Sequence, residues 1–198
     1  MKKILIVGAG GIGSWLAANL YDLICWEQLP DSNVEITIAD DDHVEAKNIS
    51  YQNFEDEDIM DPKAAVLHAR YGFKALEKRI TDERDLYGYD CIVSAVDNPK
   101  FRRLLFEYCH VYSRTHWIDL RSEGRTIAAF TTSEKNTLEK MLDTLGPEDA
   151  EDGSCQLQFE LDNDIIQQGN KIVAVIGSQY ILNWHRFDTS PPVFSFNF

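Results

Sequence analysis

Cysteine is scarce in this 198-residue chain and never clustered: Cys25, Cys91, Cys109 and Cys155 stand far apart, with no CxxC pair among them. That spacing offers neither a sequence-local zinc knuckle nor a dense disulfide framework, and a reducing, cytoplasmic setting is the simplest one it predicts. Long apolar runs are missing too. Met1-Lys2-Lys3 followed by Ile4-Leu5-Ile6-Val7 starts like a secretory leader, but the apolar run breaks at Gly8, short of an h-region. No later stretch reaches the ~18 apolar residues of a membrane span, so no membrane contact is expected. Basic charge is also in deficit: 19 Lys and Arg face 33 Asp and Glu, for a formal net charge of −14. Such a surface repels polyanions, which argues against nucleic acid as a partner. His43, His68, His110, His116 and His185 show no metal-ligand spacing. No repeat, low-complexity tract or linker interrupts the chain, so residues 1–198 are expected to form one domain.

What is present has a clear period. Ile4 to Val7 is a short β-branched apolar run, as expected of a strand buried on both faces. Gly8, Gly10, Gly11 and Gly13 follow at once, and Ser14 to Trp26 then carries apolar residues at helical spacing. Val34 to Ala39 reads as a second strand ending at Asp40, which completes a βαβ unit. Onward, the pattern predicts a helix over Pro62 to Tyr71, a weak strand over Phe73 to Ile80, a buried strand over Asp90 to Val96 and a helix over Pro99 to Tyr112. Two strands, His116 to Leu120 and Thr126 to Thr132, form a hairpin-like addition. A polar, acidic stretch from Ser133 to Asp152 precedes a helix over Ile172 to Phe187 and a strand-like tail with alternating Phe194, Phe196 and Phe198. Strands alternating with helices predict a Rossmann-like α/β fold, an open and mostly parallel sheet with helices on both faces and antiparallel additions in the C-terminal half.

Gly8-Ala9-Gly10-Gly11-Ile12-Gly13 satisfies G-x-G-x-x-G between a buried strand and an amphipathic helix. Glycine allows backbone to approach a phosphate closely, and the helix N-terminus supplies N–H groups and positive dipole. Asp40, at the end of the second strand, is placed to accept from ribose hydroxyls. These two features suit ATP and a nicotinamide dinucleotide equally well. An NAD-dependent oxidoreductase stays open on them alone, although no acid–base pair or substrate domain follows.

The residues after Asp40 separate the two. Ala39-Asp40-Asp41-Asp42-His43-Val44-Glu45, then Asn48, Gln52 and Pro62-Lys63-Ala64, then Asp97-Asn98 followed by Arg102, then Glu123-Gly124-Arg125 stand in order along the chain. This series resembles the D-x-D, N-x-x-R-Q, K-A, D-N-x-x-x-R and E-G-x motifs of the ThiF/MoeB/E1-like superfamily over Ile4 to about Phe130. The resemblance implies MgATP-dependent adenylation of the C-terminal carboxylate of a small ubiquitin-like or sulfur-carrier protein, by a homodimer or an E1-like heterodimer. It implies ATP over Gly8, Gly10, Gly11 and Gly13, with Asp40 at the ribose, Asn48, Gln52 and Lys63 around the phosphates, and Asp42 and Asn98 also in contact with the nucleotide. It further implies Asp97 as the Mg²⁺ residue and Lys63, Asp97 and Arg102 as catalytic groups. The chemistry agrees: attack of a carboxylate on phosphorus builds negative charge, which a lysine and a metal ion can neutralise.

Plainer roles exist for some of these residues, since Asp97-Asn98 could simply cap the following helix. Two departures stand out. The superfamily's arginine beside the glutamine is Tyr51 here, which replaces a phosphate-holding guanidinium with a neutral phenol and opens a second reading as the non-catalytic half of a heterodimer. Cys155 occupies the region where thioester-forming relatives place their nucleophile, but Glu148, Asp149, Glu151 and Asp152 precede it and would raise its pKa. The sequence around it is also similar to compact ThiF-like proteins of mobile and phage-type gene clusters.

Overall fold

The computed structural model describes residues 1–132, 137–145, 163 and 166–198. Among them, seven strands and five helices follow in the order β1 (Lys2–Val7), α1 (Gly11–Cys25), β2 (Val34–Ala39), α2 (Lys63–Tyr71), β3 (Lys74–Leu76), β4 (Cys91–Ser94), α3 (Pro99–Val111), β5 (His116–Glu123), β6 (Thr126–Thr131), α4 (Thr137–Asp143), α5 (Gly169–Arg186) and β7 (Val193–Asn197). The strands make one sheet in the order β3-β2-β1-β4-β5-β6-β7. Pairing is parallel from β3 to β5, then antiparallel for β5–β6 and β6–β7. This is the Rossmann-like arrangement with antiparallel additions that the alternation of patterns predicts.

Side chains alternate across each strand, and the apolar strands feed two cores. Ile4 and Ile6 of β1 join Val93 of β4 in the layer beneath α1, α2 and α5, whereas Leu5, Val7 and Ile92 face the layer built with α3 and α4. Both layers exclude water from the middle of the sheet, which fixes where the strands end. No helix among the described residues is long and apolar enough to cross a membrane.

The boundaries depart from expectation in instructive places. The weak strand expected over Phe73 to Ile80 is only Lys74–Leu76. Leu76 takes the last inter-strand hydrogen bond from Asp40 N–H at 3.1 Å, and its carbonyl also receives Lys78 N–H at 2.8 Å, which turns the chain. Exposed Glu77, Lys78 and Arg79 leave the edge there, and Ile80 returns to the core. Helix α1 begins at Gly11 rather than at Ser14, because the glycine cluster forms its cap and first turn. Helix α5 likewise starts at Gly169, ahead of the expected Ile172.

The topology sets the site. On one side of β1 the chain proceeds to β2, on the other side lies β4, so the loops leaving the C-terminal ends of β1 and β4 diverge and open a crevice between them.

Candidate functional site

The crevice begins with the glycine loop. Gly8 has φ +100°, and a Cβ there would meet Val96 Cγ1 at 2.7 Å and the Ala95 carbonyl oxygen at 2.8 Å, so only glycine lets the β1 and β4 loops touch. A Cβ on Gly13 would sit 1.8 Å from the Gly8 carbonyl oxygen, which brings α1 hard against the end of β1. Gly10 is the N-cap of α1; no side chain caps that terminus, and no acid lies in its first turn. Among the described residues nothing caps the end of α1, so its N–H groups are able to receive an anion.

Asp40 Oδ2 accepts the Ala9 N–H at 2.6 Å and its Oδ1 accepts the Asp42 N–H at 2.8 Å. Burial pushes its carboxyl above the ordinary value, while these two backbone donors oppose the rise. The segment after it is strapped to α2: Lys63 N–H donates to the Asp42 carbonyl and Val44 N–H to the Asp61 carbonyl, both at 2.9 Å. Lys63 follows the Pro62 N-cap and is only 5% exposed. Its Nζ lies 3.3 Å from Asp42 Oδ2. A buried cation in a helix's first turn opposes the helix dipole, an arrangement explained by negative charge in front of it.

A tight turn holds the next residues. Gln52 N–H donates to the Asn48 carbonyl at 2.8 Å and Asn48 Oδ1 accepts the Glu45 N–H at 2.9 Å. Asn48 Nδ2 donates to the Tyr51 hydroxyl at 3.2 Å. Asn48 and Gln52 are both buried, and Gln52 Oε1 accepts no hydrogen bond among the described residues.

These residues converge on one cleft of about 340 Å³, lined by Gly8, Gly10, Gly11, Asp40, Asp42, Asn48, Gln52, Lys63 and Asp97 among others. It adjoins a recess of about 120 Å³ whose apolar wall is Ala39, Ile80, Val96 and Phe101. These nine residues, all singled out in the sequence, therefore line one cleft, and Tyr51 lines it with them. Gly13 supports it from beneath. Asn98 lines the recess and also caps α3, its Oδ1 accepting the Phe101 N–H at 3.1 Å; the two roles coexist.

Arg102 does not line the cleft. Its Nε donates to Asp119 Oδ1 at 3.0 Å and its other arm donates to the Val96 carbonyl. It holds the β4–α3 turn, on which Asp97 sits, from behind. Cys155 lies outside the described residues. Lys47 and Arg79 line the cleft without a signal in the sequence, since a lone cation in a loop carries none. Asp119 was missed as well, although an acid inside the apolar Trp117-Ile118-Asp119-Leu120 is a sign of a buried ionic network.

Asp40, Asp41 and Asp42 place carboxylate oxygens within 4.8 Å of one another, and Asp97 is not part of that group. The cleft and recess suit a nucleotide by shape and donor set: an apolar slot for a base, a carboxylate for a ribose, and an uncapped helix end with a buried lysine for phosphates.

The model of the ThiF family matches residues 1–185. No curated protein sequence matches the chain. Among solved structures, PaaA superposes with a TM-score of 0.68 at 16% identity, over 100% of this chain and 61% of PaaA. E. coli MccB crystallised with ATP gives 0.66 at 17% identity, over 99% of this chain and 63% of MccB. MccB with AMPCPP and selenomethionine MccA gives 0.67 at 16%, again over 99% and 63%. The chain thus spans less than two thirds of the length of these structures, and at such identity they speak for its fold.

Proposed function

The chain belongs to the ThiF family, and from that premise we propose that it is a MgATP-dependent adenylyltransferase acting on the C-terminal carboxylate of a small ubiquitin-like or sulfur-carrier protein. The observation that carries the reading is the convergence, in a single cleft, of the uncapped α1 terminus, Asp40, buried Lys63 and Asp97. That MccB was crystallised with ATP, and with AMPCPP and MccA, supports a nucleotide and a small polypeptide as the two ligands.

MgATP would supply the electrophilic α-phosphorus and the pyrophosphate leaving group. This chain's residues do the rest by position and charge. Phe101, Ile80 and Val96 would sandwich the base in the recess, and Asp40, already fixed by two backbone donors, would accept from the ribose. The N–H groups of the α1 terminus and the Lys63 ammonium would take the phosphate charge. Asp40, Asp42, Glu45 and Asp97 outnumber Lys47, Lys63 and Arg79 along the cleft, so a polyphosphate needs a further cation to enter. Magnesium would be held by carboxylates of this cleft and its recess: Asp97 is the one the family resemblance implies, and Asp40, Asp41 and Asp42 are the ones whose oxygens lie close together.

ATP–pyrophosphate exchange in the presence of a small β-grasp carrier protein tests this. Label exchange is expected with the wild type and is lost in Asp97→Ala and Lys63→Ala. Absence of exchange with every carrier encoded near this chain's gene removes the proposal. Tyr51, a phenol whose hydroxyl already engages Asn48, supports a second reading, the non-catalytic half of an E1-like heterodimer. In that case calorimetry finds no MgATP binding and the chain co-purifies with an active partner; a catalytically active homodimer excludes it.

A further inference from the structure

The larger cleft has no cation at position 51, but it does have one four residues earlier. Tyr51 is committed: its hydroxyl receives Asn48 Nδ2 at 3.2 Å and its carbonyl receives Trp15 Nε1 at 3.3 Å. Lys47 lies in the tight turn just before it and lines the same cleft alongside Gly10, Gly11 and Tyr51. It does not line the apolar recess, so it stands at the end of the cleft away from Ile80 and Phe101. The other two cations of the cleft are placed differently. Lys63 is buried against Asp42, and Arg79, paired with Asp41, lines cleft and recess alike and so stands at the sugar end.

Lys47 is also weakly held. Its side chain is 67% exposed, and its ion pair with Glu45 at 2.9 Å joins two exposed groups, the kind of contact that gives little stability and is readily exchanged for a better anion. Glu45's hydrogen bond pushes the ammonium above the ordinary lysine value, so it is fully charged at neutral pH.

We infer that Lys47 grips the terminal phosphates of a nucleoside triphosphate in this cleft, supplying from position 47 the charge that position 51 lacks. The inference rests on the nucleotide reading above. It assigns the lysine to the part of the ligand that distinguishes a triphosphate from a monophosphate, and that gives the test.

Isothermal titration of the full chain with MgATP and with AMP is made for the wild type, Lys47→Ala, Lys47→Arg and the double variant Lys47→Ala/Tyr51→Arg. Lys47→Ala is expected to weaken MgATP by on the order of ten- to a hundredfold, the loss of one charge-assisted contact, while AMP binding stays within about twofold. Lys47→Arg is expected to keep MgATP affinity, and arginine at position 51 to recover part of what Lys47→Ala loses. Unchanged MgATP affinity in Lys47→Ala, or equal weakening of MgATP and AMP, overturns the inference. A wild type that binds AMP as tightly as MgATP overturns it too, because no terminal-phosphate contact then exists. A wild type that binds neither nucleotide brings down the nucleotide reading itself and this inference with it.

Discussion

One methyl group distinguishes the two jobs done by the glycine loop. On Gly13 it would fall 1.8 Å from a backbone oxygen of Gly8, whereas on Gly10 it would meet, among the described residues, Gln52 Nε2 at 3.9 Å. Gly13→Ala must therefore push α1 off the end of β1, and we expect it to cost at least about 3 kcal/mol in urea unfolding. Gly10→Ala is expected to fold with a melting temperature within about 3 °C of the wild type, yet to bind nucleotide roughly tenfold more weakly, about 1.4 kcal/mol, because the methyl stands where the phosphate must approach. Another residue-scale consequence lies at the opposite end of the sheet. His116 stacks on Trp184 and its Nε2 meets Thr131 Oγ1 at 2.7 Å; burial, with the Lys2 ammonium, pushes its imidazole down to about 4. Between the ordinary histidine value and that one, the unfolded chain binds a proton that the folded chain refuses. Stability thus falls as pH is lowered through this window, by about 2 kcal/mol at pH 4.5. Urea midpoints at pH 7 and 4.5 should show a smaller drop for His116→Gln, and an equal drop would exclude the assignment. At this scale the place of the glycines, Asp40, Asn48, Gln52 and Lys63 about one cleft is legible in the sequence because it depends on spacing along the chain. That of Lys47 and Asp119 is not, because it depends on which strands and turns become neighbours.

Among elements, the connection from β4 to α3 shows how a site is held from behind. Asp119 of β5 is fully buried and accepts from Ser94 Oγ of β4, from Arg102 Nε of α3 at 3.0 Å and from Arg121 Nε at 2.6 Å. Trp117 Nε1 donates to Ser94 Oγ at 2.9 Å. One carboxylate thereby ties two strands and a helix around the turn that carries Asp97. Removing it leaves buried Arg102 and half-buried Arg121 without their counter-charge, so Asp119→Ala is expected to lose 3–5 kcal/mol, about the usual cost of breaking a buried pair. Asn98→Ala removes one helix cap and is expected to lose only about 1 kcal/mol. Chemical denaturation of the two variants, both changed within reach of the same turn, checks that ordering. The sequence pattern predicts the elements themselves well, because β1 and β4 carry apolar runs, β2 alternates Val34, Ile36 and Ile38 with Glu35 and Thr37, and α3 has a proline at its start after Asn98. It predicts β3 poorly. An edge strand with exposed Lys74 and Ala75 has no buried face to impose a period, and its end is decided by the bond from Asp40 to Leu76 rather than by composition.

For the molecule as a whole, the acid excess that argues against nucleic acid poses a difficulty for ATP as well. A chain of net charge −14 presents a cleft whose carboxylates outnumber its cations, and metal-free ATP brings further negative charge to it. On the proposed function, magnesium would resolve the conflict by entering with the phosphates among the carboxylates of the cleft. Ligand-linked stability makes this measurable, because a ligand at a hundred times its dissociation constant stabilises the folded chain by about 2.7 kcal/mol. For a chain of this length that corresponds to roughly 5–10 °C in melting temperature. MgATP should therefore raise the melting temperature by about that much, and ATP in excess EDTA by much less. The gap between them should shrink in Asp97→Ala, because one carboxylate proposed to hold the metal is gone, and narrow in high salt, where the field of the acidic surface is screened. Equal shifts with and without magnesium would mean that the cleft balances the triphosphate with its own lysines and arginine, and that Asp97 serves the turn rather than a metal.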